Sequence, residues 1–160
     1  MKQLCVLLFA VLLVLTACAP ANDASAINEE MVVANISEIW NNGNLDKIDE
    51  MYAANLVRHH PASYEQQMVE GIDAFKEYVK GVRETFAGFK VEVIESVAKG
   101  NVFALRWNAS GTHQETQKPV QFSGMSFLHF ENGKVVSEYL AWDTQSVVQQ
   151  IQATEGMATQ

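Results

Sequence analysis

The stretch GIDAFKEYVKGVRETFAGFKVEVIESVAKGNVFALRWNASGTH, residues 71–113, decides the fold because its hydrophobic period changes partway along. Over 71–87 the apolar residues recur at helical spacing, which predicts a long amphipathic helix. Over 89–97 and 102–112 the pattern changes to that of strands, and the Lys-Gly-Asn turn between them predicts a hairpin. One side of the first strand is predicted to carry Phe89, Val91, Val93 and Glu95.

The residues before this stretch predict two further helices and a brief strand. Apolar residues at helical spacing predict a helix over 27–42, and Gly43 can take the left-handed conformation that ends it. A second short helix is predicted over 45–53. A brief strand is predicted over 56–60, followed by a loop that leads into the long helix.

The residues after the stretch predict a second hairpin and a closing helix. Strands are predicted over 120–130 and 135–142, and the Asn132-Gly133 pair between them favours a tight turn. A helix is predicted over 144–152. This order of elements is typical of an α+β domain with helices packed on one face of an antiparallel sheet. The many aromatic residues near the strands suit either a filled core or a lined pocket.

The first residues have the layout of an export signal. One Lys precedes an almost unbroken apolar run that is too short for an ordinary membrane span, so 1–17 is predicted to be a signal peptide. Leu15–Cys18 resembles a bacterial lipobox, which implies that Cys18 is lipidated and becomes the new N-terminus. The alternatives are an ordinary signal peptide cut a few residues later, or a signal anchor. The predicted division of the rest is a tether at 18–27, a folded domain at 28–152 and a flexible tail at 153–160.

Cysteine usage and charge narrow the function classes. Cys5 lies in the predicted signal and Cys18 is the lipidation candidate, so the folded domain is predicted to have no disulfide and no cysteine metal site. The net charge of −8 makes nucleic acid and anionic lipid surfaces poor partners. Membrane contact is expected through the lipid anchor of an exported envelope protein. Ala19 follows the modified Cys, which favours the periplasmic side of the outer membrane if the cell is Gram-negative.

Three segments in the expected order carry a family resemblance. WNNGNLDKIDEMYAANLVRHHP (40–61), the stretch 71–113 and VQFSGMSFLHFENGKVVSEYLAWD (120–143) resemble the SnoaL-like polyketide cyclase and ester cyclase family of the nuclear transport factor 2-like superfamily. The resemblance implies a cone-shaped, curved antiparallel sheet covered by about three N-terminal helices, with a short C-terminal helix and a deep pocket. The superfamily includes cyclases, isomerases, dehydratases and non-catalytic binding modules.

The resemblance also implies candidate catalytic residues. In the cyclases, the aspartate matching Asp143 is the acid/base for an aldol closure, and the histidine matching His113 lies near the reacting carbonyl. His59 best matches a further pocket histidine, although the family often has Asn or Asp where this chain has His60. Such chemistry needs a carboxylate to remove a proton next to a carbonyl and a donor to stabilise the enolate, with no metal or organic cofactor.

Each candidate has a structural alternative. Asp143 precedes a predicted helix, where an N-cap contributes about 1 kcal/mol. His113 could be a loop histidine bonded to the backbone. Because adjacent strand residues point to opposite faces, only one of His59 and His60 is expected to enter the pocket. His129, in the middle of a strand, is more typical of a satisfied structural histidine. A metal site built from these scattered residues lacks any local spacing motif, so none is predicted.

Five residues are candidates for ligand binding: Trp107, Arg106, Tyr139, Trp142 and Phe127. The two tryptophans could instead belong to the core. Arg106 could instead form a structural ion pair with a carboxylate on a neighbouring strand, such as Glu138.

The first functional hypothesis is an envelope-tethered enzyme without cofactor, a cyclase, isomerase or hydrolyase that acts on a small hydrophobic carbonyl compound. The second is a non-catalytic pocket that binds a small apolar molecule. The third is an interaction module that uses its open sheet face to form a homodimer or hold a partner.

Overall fold

The computed structural model describes residues 27–153. The predicted signal peptide, Cys18 and nearly all of the predicted tether and tail lie outside these residues. No described helix is long and apolar enough to cross a membrane. The elements, in chain order, are α1 (Glu29–Ser37) with a π-helical turn (Glu38–Asn42), α2 (Asp46–Met51), β1 (Tyr52–His59), β2 (Met68–Glu70), α3 (Ile72–Thr85), β3 (Phe86–Lys99), β4 (Val102–His113), β5 (Lys118–Glu131), β6 (Lys134–Trp142) and α4 (Thr144–Gln152).

The six strands form one curved sheet in the order β2-β1-β6-β5-β4-β3. The predicted α+β fold is therefore confirmed, including the short C-terminal helix. One pair differs from a purely antiparallel sheet: β1 runs parallel to β6, while the other neighbours are antiparallel. The three-residue β2 lies in a segment predicted to be a loop, because three residues are too few to show an alternating pattern.

Side chains at the end of α1 tie the N-terminal helix to the rest of the domain. Gly43 has the predicted left-handed conformation, with φ of 71°. Just before it, Asn41 pairs through its side-chain amide with the backbone of Val91, at 2.7 and 3.1 Å. Arg83 of α3 donates from Nη1 to the carbonyl oxygens of Trp40 and Asn41. The two bonds from Arg83 satisfy helix-end carbonyls that would otherwise lack partners.

The core lies between the helices and the covered face of the sheet. In β4 the buried residues alternate as a strand with one covered face requires: Phe103, Leu105, Trp107 and Ala109. From α3, Phe75 and Val79 pack fully buried against this face. Burying each large apolar side chain of this kind contributes about 1.5–3 kcal/mol.

Strand β3 departs from the predicted alternation. Its pairing register with β4 shifts between Val93 and Glu95. An extra residue in one strand reverses the faces of all that follow. Val93 therefore pairs with inward-facing Trp107, whereas Glu95 turns to the exposed face, where it accepts a hydrogen bond from Arg106 at 2.7 Å. The prediction that Val93 and Glu95 share one side was wrong for this reason.

Candidate functional site

The helices and the covered face of the sheet enclose a cavity of about 290 Å³. It is lined mainly by aromatic side chains, which come from the helices, the Tyr64 loop and the strands: Trp40, Tyr52, Tyr64, Tyr78, Phe86, Phe89, Trp107, Phe122 and Trp142. The few other polar groups in its wall include Arg58, His113, Ser126 and Glu138. An apolar enclosure with a few polar groups is typical of small-molecule sites.

The indole of Trp107 forms one wall of the cavity, and two neighbours fix its position. Its Nε1 donates to Oγ of Ser126 at 3.0 Å. Its six-membered ring lies over Gly124, where an added Cβ would come 2.3 Å from Cζ2. The ring can occupy this position only because residue 124 has no side chain.

Two opposite charges lie buried in the cavity wall, on the neighbouring parallel strands β1 and β6. Nε of Arg58 donates to Oε2 of Glu138 at 2.7 Å, and the two side chains are 2% and 7% exposed. Arg106 forms the structural ion pair expected with a carboxylate on a neighbouring strand, but its partner is Glu95 rather than Glu138. Arg106 lies on the exposed face of β4 and pairs with Glu95, whereas Glu138 faces inward. Arg58 was not among the predicted site residues, although the alternation that turns His59 outward turns Arg58 inward.

Burial determines the charge states around this pair. Burial alone would lower the pKa of Arg58, but the charge and hydrogen bond of Glu138 outweigh it and raise this pKa. Burial raises the pKa of Tyr52, and the charge of Glu138 adds to the effect. Burial likewise raises the pKa of Tyr78. The cavity therefore holds a permanent cation and neutral phenol groups that can donate hydrogen bonds.

Asp143 caps the closing helix. Its Oδ1 accepts a hydrogen bond from the backbone N–H of Ser146 at 2.8 Å, so the alternative interpretation as an N-cap is confirmed. Its side chain is exposed and does not line the cavity, although Trp142, the residue before it, does. The catalytic role of Asp143 stays a prediction, and the structure places its carboxylate outside the enclosed space.

His113 lines the cavity at the end of β4. The backbone N–H of Thr116 donates to its Nδ1 at 3.3 Å, and Oγ1 of Thr116 lies 2.9 Å from the same atom. Because a backbone N–H is always a donor, the neutral ring carries its proton on Nε2. His113 therefore lies in the pocket, as predicted, and is also bonded to the backbone, as the alternative interpretation expected.

The two histidines at the end of β1 face opposite sides of the sheet, and the one that faces inward is His60 rather than His59. His59 points to the exposed face and stacks on Tyr139, with ring centroids 4.3 Å apart. His60 points inward, and its Nδ1 lies 2.7 Å from the carbonyl oxygen of Gln66, to which it donates. Burial lowers the pKa of His60 to about 4, and the nearby charge of Arg58 adds to the effect. The expectation that His59 faces the pocket was wrong because inward positions in β1 fall on residues 58 and 60.

The predicted ligand-binding residues divide between the two faces of the sheet. Trp107 and Trp142 line the cavity. Phe127 and Tyr139 pair across β5 and β6 on the opposite face, where they are 50% and 49% exposed, and Arg106 lies on the same face. These three residues cannot touch a ligand in the cavity, because strand neighbours such as Glu138 and Tyr139 alternate between faces.

Among residues 27–153, no three His, Cys, Asp or Glu side chains lie close enough together to hold a metal ion. His59 and His113, which a metal site would have had to bring together, lie on opposite faces of the sheet.

A family model described as SnoaL-like polyketide cyclase matches residues 30–151, most of the chain. No curated protein matches. Solved structures match at low identity. A hypothetical protein with a ketosteroid isomerase-like fold from Catenulispora acidiphila, in complex with trimethylamine, has a TM-score of 0.69 at 13% identity, over 79% of this chain and 95% of its own.

Two further structures are described as candidate polyketide cyclases. IdmH from Streptomyces antibioticus has a TM-score of 0.66 at 20% identity and covers 78% of this chain and 97% of its own. A SnoaL-like protein from Jannaschia sp. CCS1 has a TM-score of 0.68 at 18% identity and covers 84% and 99%. At such identities the likeness shows a shared fold alone.

Proposed function

Because the chain belongs to the SnoaL-like polyketide cyclase family, we propose that it is a small acid–base enzyme that works in the aromatic cavity. Its substrate is a small hydrophobic carbonyl compound, and its reaction is a cyclisation, isomerisation or hydration–dehydration without a cofactor. The observation that carries the proposal is the carboxylate of Glu138, which lies in the wall of an otherwise mostly apolar enclosure.

Glu138 has one oxygen available for chemistry. Its Oε2 accepts from Arg58, whereas its Oε1 has no hydrogen-bond partner within the described part of the chain. A free carboxylate oxygen in a mostly apolar site can remove a proton from the carbon next to a carbonyl. The resulting enolate oxygen needs donors in place before the reaction, and Arg58, Tyr52 and Tyr78 are the donors that line the same cavity.

His113 and Asp143 have secondary places in the proposal. His113 lines the cavity and has its proton on Nε2 when neutral, so it can donate to a second substrate oxygen. Asp143 is a candidate base only for a substrate that extends out of the cavity past Trp142.

We also propose that the enzyme is exported and tethered to the cell envelope by a lipid on Cys18. The support is the sequence Leu15–Cys18 at the end of the apolar run.

The chemistry is tested with 2-tetralone, a two-ring ketone with acidic protons on the carbons beside its carbonyl. In D2O, an enzyme that forms the enolate exchanges these protons for deuterium, and proton NMR follows the exchange. We expect exchange with the wild type and with Asp143→Asn, and its loss in the double variant Arg58→Met with Glu138→Leu, which removes the base without leaving an unpaired charge. Exchange that persists in the double variant would refute Glu138 as the base.

A non-catalytic binding module is the second candidate function. The observation that favours it is that Glu138 already has a partner, since a buried ion pair can be purely structural. This alternative predicts that wild-type protein binds 2-tetralone without exchanging its protons. Mass spectrometry of the small molecule that co-purifies with the protein then identifies the ligand.

A further inference from the structure

The guanidinium of Arg58 has donors to spare in the wall of the cavity. Its Nε is used by Glu138, but its buried Nη1 has no hydrogen-bond partner among residues 27–153. The whole residue is 2% exposed. Buried donors are normally satisfied, so this one shows that the guanidinium has hydrogen-bonding capacity that the described chain does not use. The group can meet a ligand because Arg58 lines the cavity.

Three aromatic rings hold this guanidinium in place. Its Cζ lies 4.2 Å from the ring centroid of Phe75, 5.5 Å from Tyr78 and 5.6 Å from Trp40. Contacts of a cation with aromatic faces are favourable, and they leave the guanidinium little freedom to turn toward another acceptor. The guanidinium is therefore fixed before a ligand arrives, which reduces the ordering that binding requires.

Charge balance restricts what that ligand can be. Among the described residues that line the cavity, Arg58 is the only Arg or Lys and Glu138 is the only Asp or Glu. The two are in direct contact, so the pair is neutral as a unit. His60, behind the wall, is also neutral, since its pKa is lowered to about 4. A carboxylate ligand would bring a second negative charge close to Glu138 with no further cation to balance it. Burying an unbalanced charge is far less favourable than burying a neutral hydrogen-bonding group.

We propose that Arg58 is a specificity-determining residue that donates from its guanidinium to an uncharged carbonyl oxygen, so that the cavity selects ketones and esters over carboxylates of the same shape. This inference rests on the proposed function in placing the ligand in the same cavity. It requires binding but no turnover, so the two can fail separately.

The test uses three molecules with one two-ring body: 2-acetylnaphthalene, 2-naphthoate and 2-ethylnaphthalene. They present a neutral carbonyl, a carboxylate and no acceptor. Isothermal titration calorimetry on the purified full-length protein measures the three affinities. We expect the wild type to bind the ketone at least about tenfold more tightly than either of the others, which corresponds to about 1.4 kcal/mol.

Two variants isolate the role of the charges. Glu138→Leu leaves Arg58 unbalanced, so the preference should invert, with 2-naphthoate bound most tightly and raising the melting temperature of the variant. The double variant Arg58→Met with Glu138→Leu removes both charges. It should bind 2-acetylnaphthalene and 2-ethylnaphthalene with equal affinity, and its melting temperature shows that it is folded.

Three results would overturn the inference: no binding of 2-acetylnaphthalene to the wild type, equal wild-type affinity for ketone and carboxylate, or a ketone preference that survives in the double variant. Wild-type protein that prefers the ketone but exchanges no protons of 2-tetralone would refute the enzyme and leave the inference intact. If wild-type protein exchanges these protons but the double variant keeps the ketone preference, the inference about Arg58 is refuted and the proposed enzyme is left intact.

Discussion

Gly124 on β5 lies directly opposite Trp107 on β4, and the two residues are paired across the strands. They are so close that a methyl group on Gly124 would overlap the indole. This contact sets the position of one cavity wall. The same absence of a side chain that admits the ring also makes the wall sensitive to the smallest substitution.

We expect Gly124→Ala to push the Trp107 ring toward the cavity. The change should weaken binding of 2-acetylnaphthalene and lower the free energy of unfolding by about 1–3 kcal/mol, as overpacking does. Calorimetry and urea denaturation measure the two effects. Gly81→Ala is the matched control, because a Cβ at this helical position meets nothing within 4 Å. It should leave binding unchanged and stabilise by about 0.5–1 kcal/mol. Unaltered binding in Gly124→Ala would contradict the assigned wall.

We expect Glu138→Gln to lower the free energy of unfolding by about 3–5 kcal/mol, because it leaves the buried Arg58 charge without its partner. Urea denaturation provides the measurement. The control is Arg106→Gln, which breaks the exposed pair with Glu95 and should change stability by about 0–1 kcal/mol. Equal losses of stability in the two variants would contradict the expectation that the buried pair matters more for stability than the exposed pair.

We expect Asp143→Ala to lower the free energy of unfolding by about 0.5–2 kcal/mol through loss of the cap on α4. Asp143→Asn should keep full stability, since Asn caps as well as Asp. Chemical denaturation of the two variants shows how much of the stability comes from the N-cap hydrogen bond and how much from the charge of Asp143. A strong loss of 2-tetralone exchange in stable Asp143→Asn would restore Asp143 as the base in place of Glu138.

Stability should depend on pH through His60. Its pKa is about 4 in the folded protein and near 6.5 when unfolded, so between these values the unfolded chain binds more protons. The contribution is complete above pH 6.5 and is lost as the pH falls toward 4. Urea midpoints measured from pH 7 to pH 4.5 should therefore decrease, and the decrease should be smaller in His60→Asn. A variant whose decrease equals that of the wild type would refute this origin.

We expect Cys18→Ser to abolish the lipid-modified N-terminal peptide, since the thiol of Cys18 is the group that would carry the lipid. Cell fractionation with mass spectrometry of the N-terminal peptide tests this. The matched control is Cys5→Ser, a change within the predicted signal that should leave the wild-type distribution intact. Wild-type protein that keeps residues 1–17 and an unmodified Cys18 would point to a signal anchor instead.

The elements were predictable because their signals are local. A few neighbouring residues were enough to predict the helix that contains Phe75 and Val79, and the same is true of the Asn132-Gly133 turn. Both predictions are confirmed. The face of Glu95 was not predictable, because it depends on a register shift that arises only when β3 pairs with β4.

The site was predicted less well than the fold, because its parts come from distant segments. Trp107, Trp142 and His113 line the cavity, and their roles there stay predictions. The Arg58–Glu138 pair was missed because the parallel neighbourhood of β1 and β6 has no local signal. The sequence did contain one clue. Alternate residues of a strand share a face, so Arg58 had to face inward together with Leu56 and His60.

The parallel pairing of β1 with β6 has a kinetic consequence. Arg58 and Glu138 are 80 residues apart in sequence, and β1 has only the three-residue β2 beside it until the last strand is in place. Contacts between such distant segments slow folding, because a long loop must close before they form. The charged pair is therefore completed only once nearly the whole chain has left the ribosome or the translocation channel, and a fragment ending before β6 would hold an arginine with no counterion.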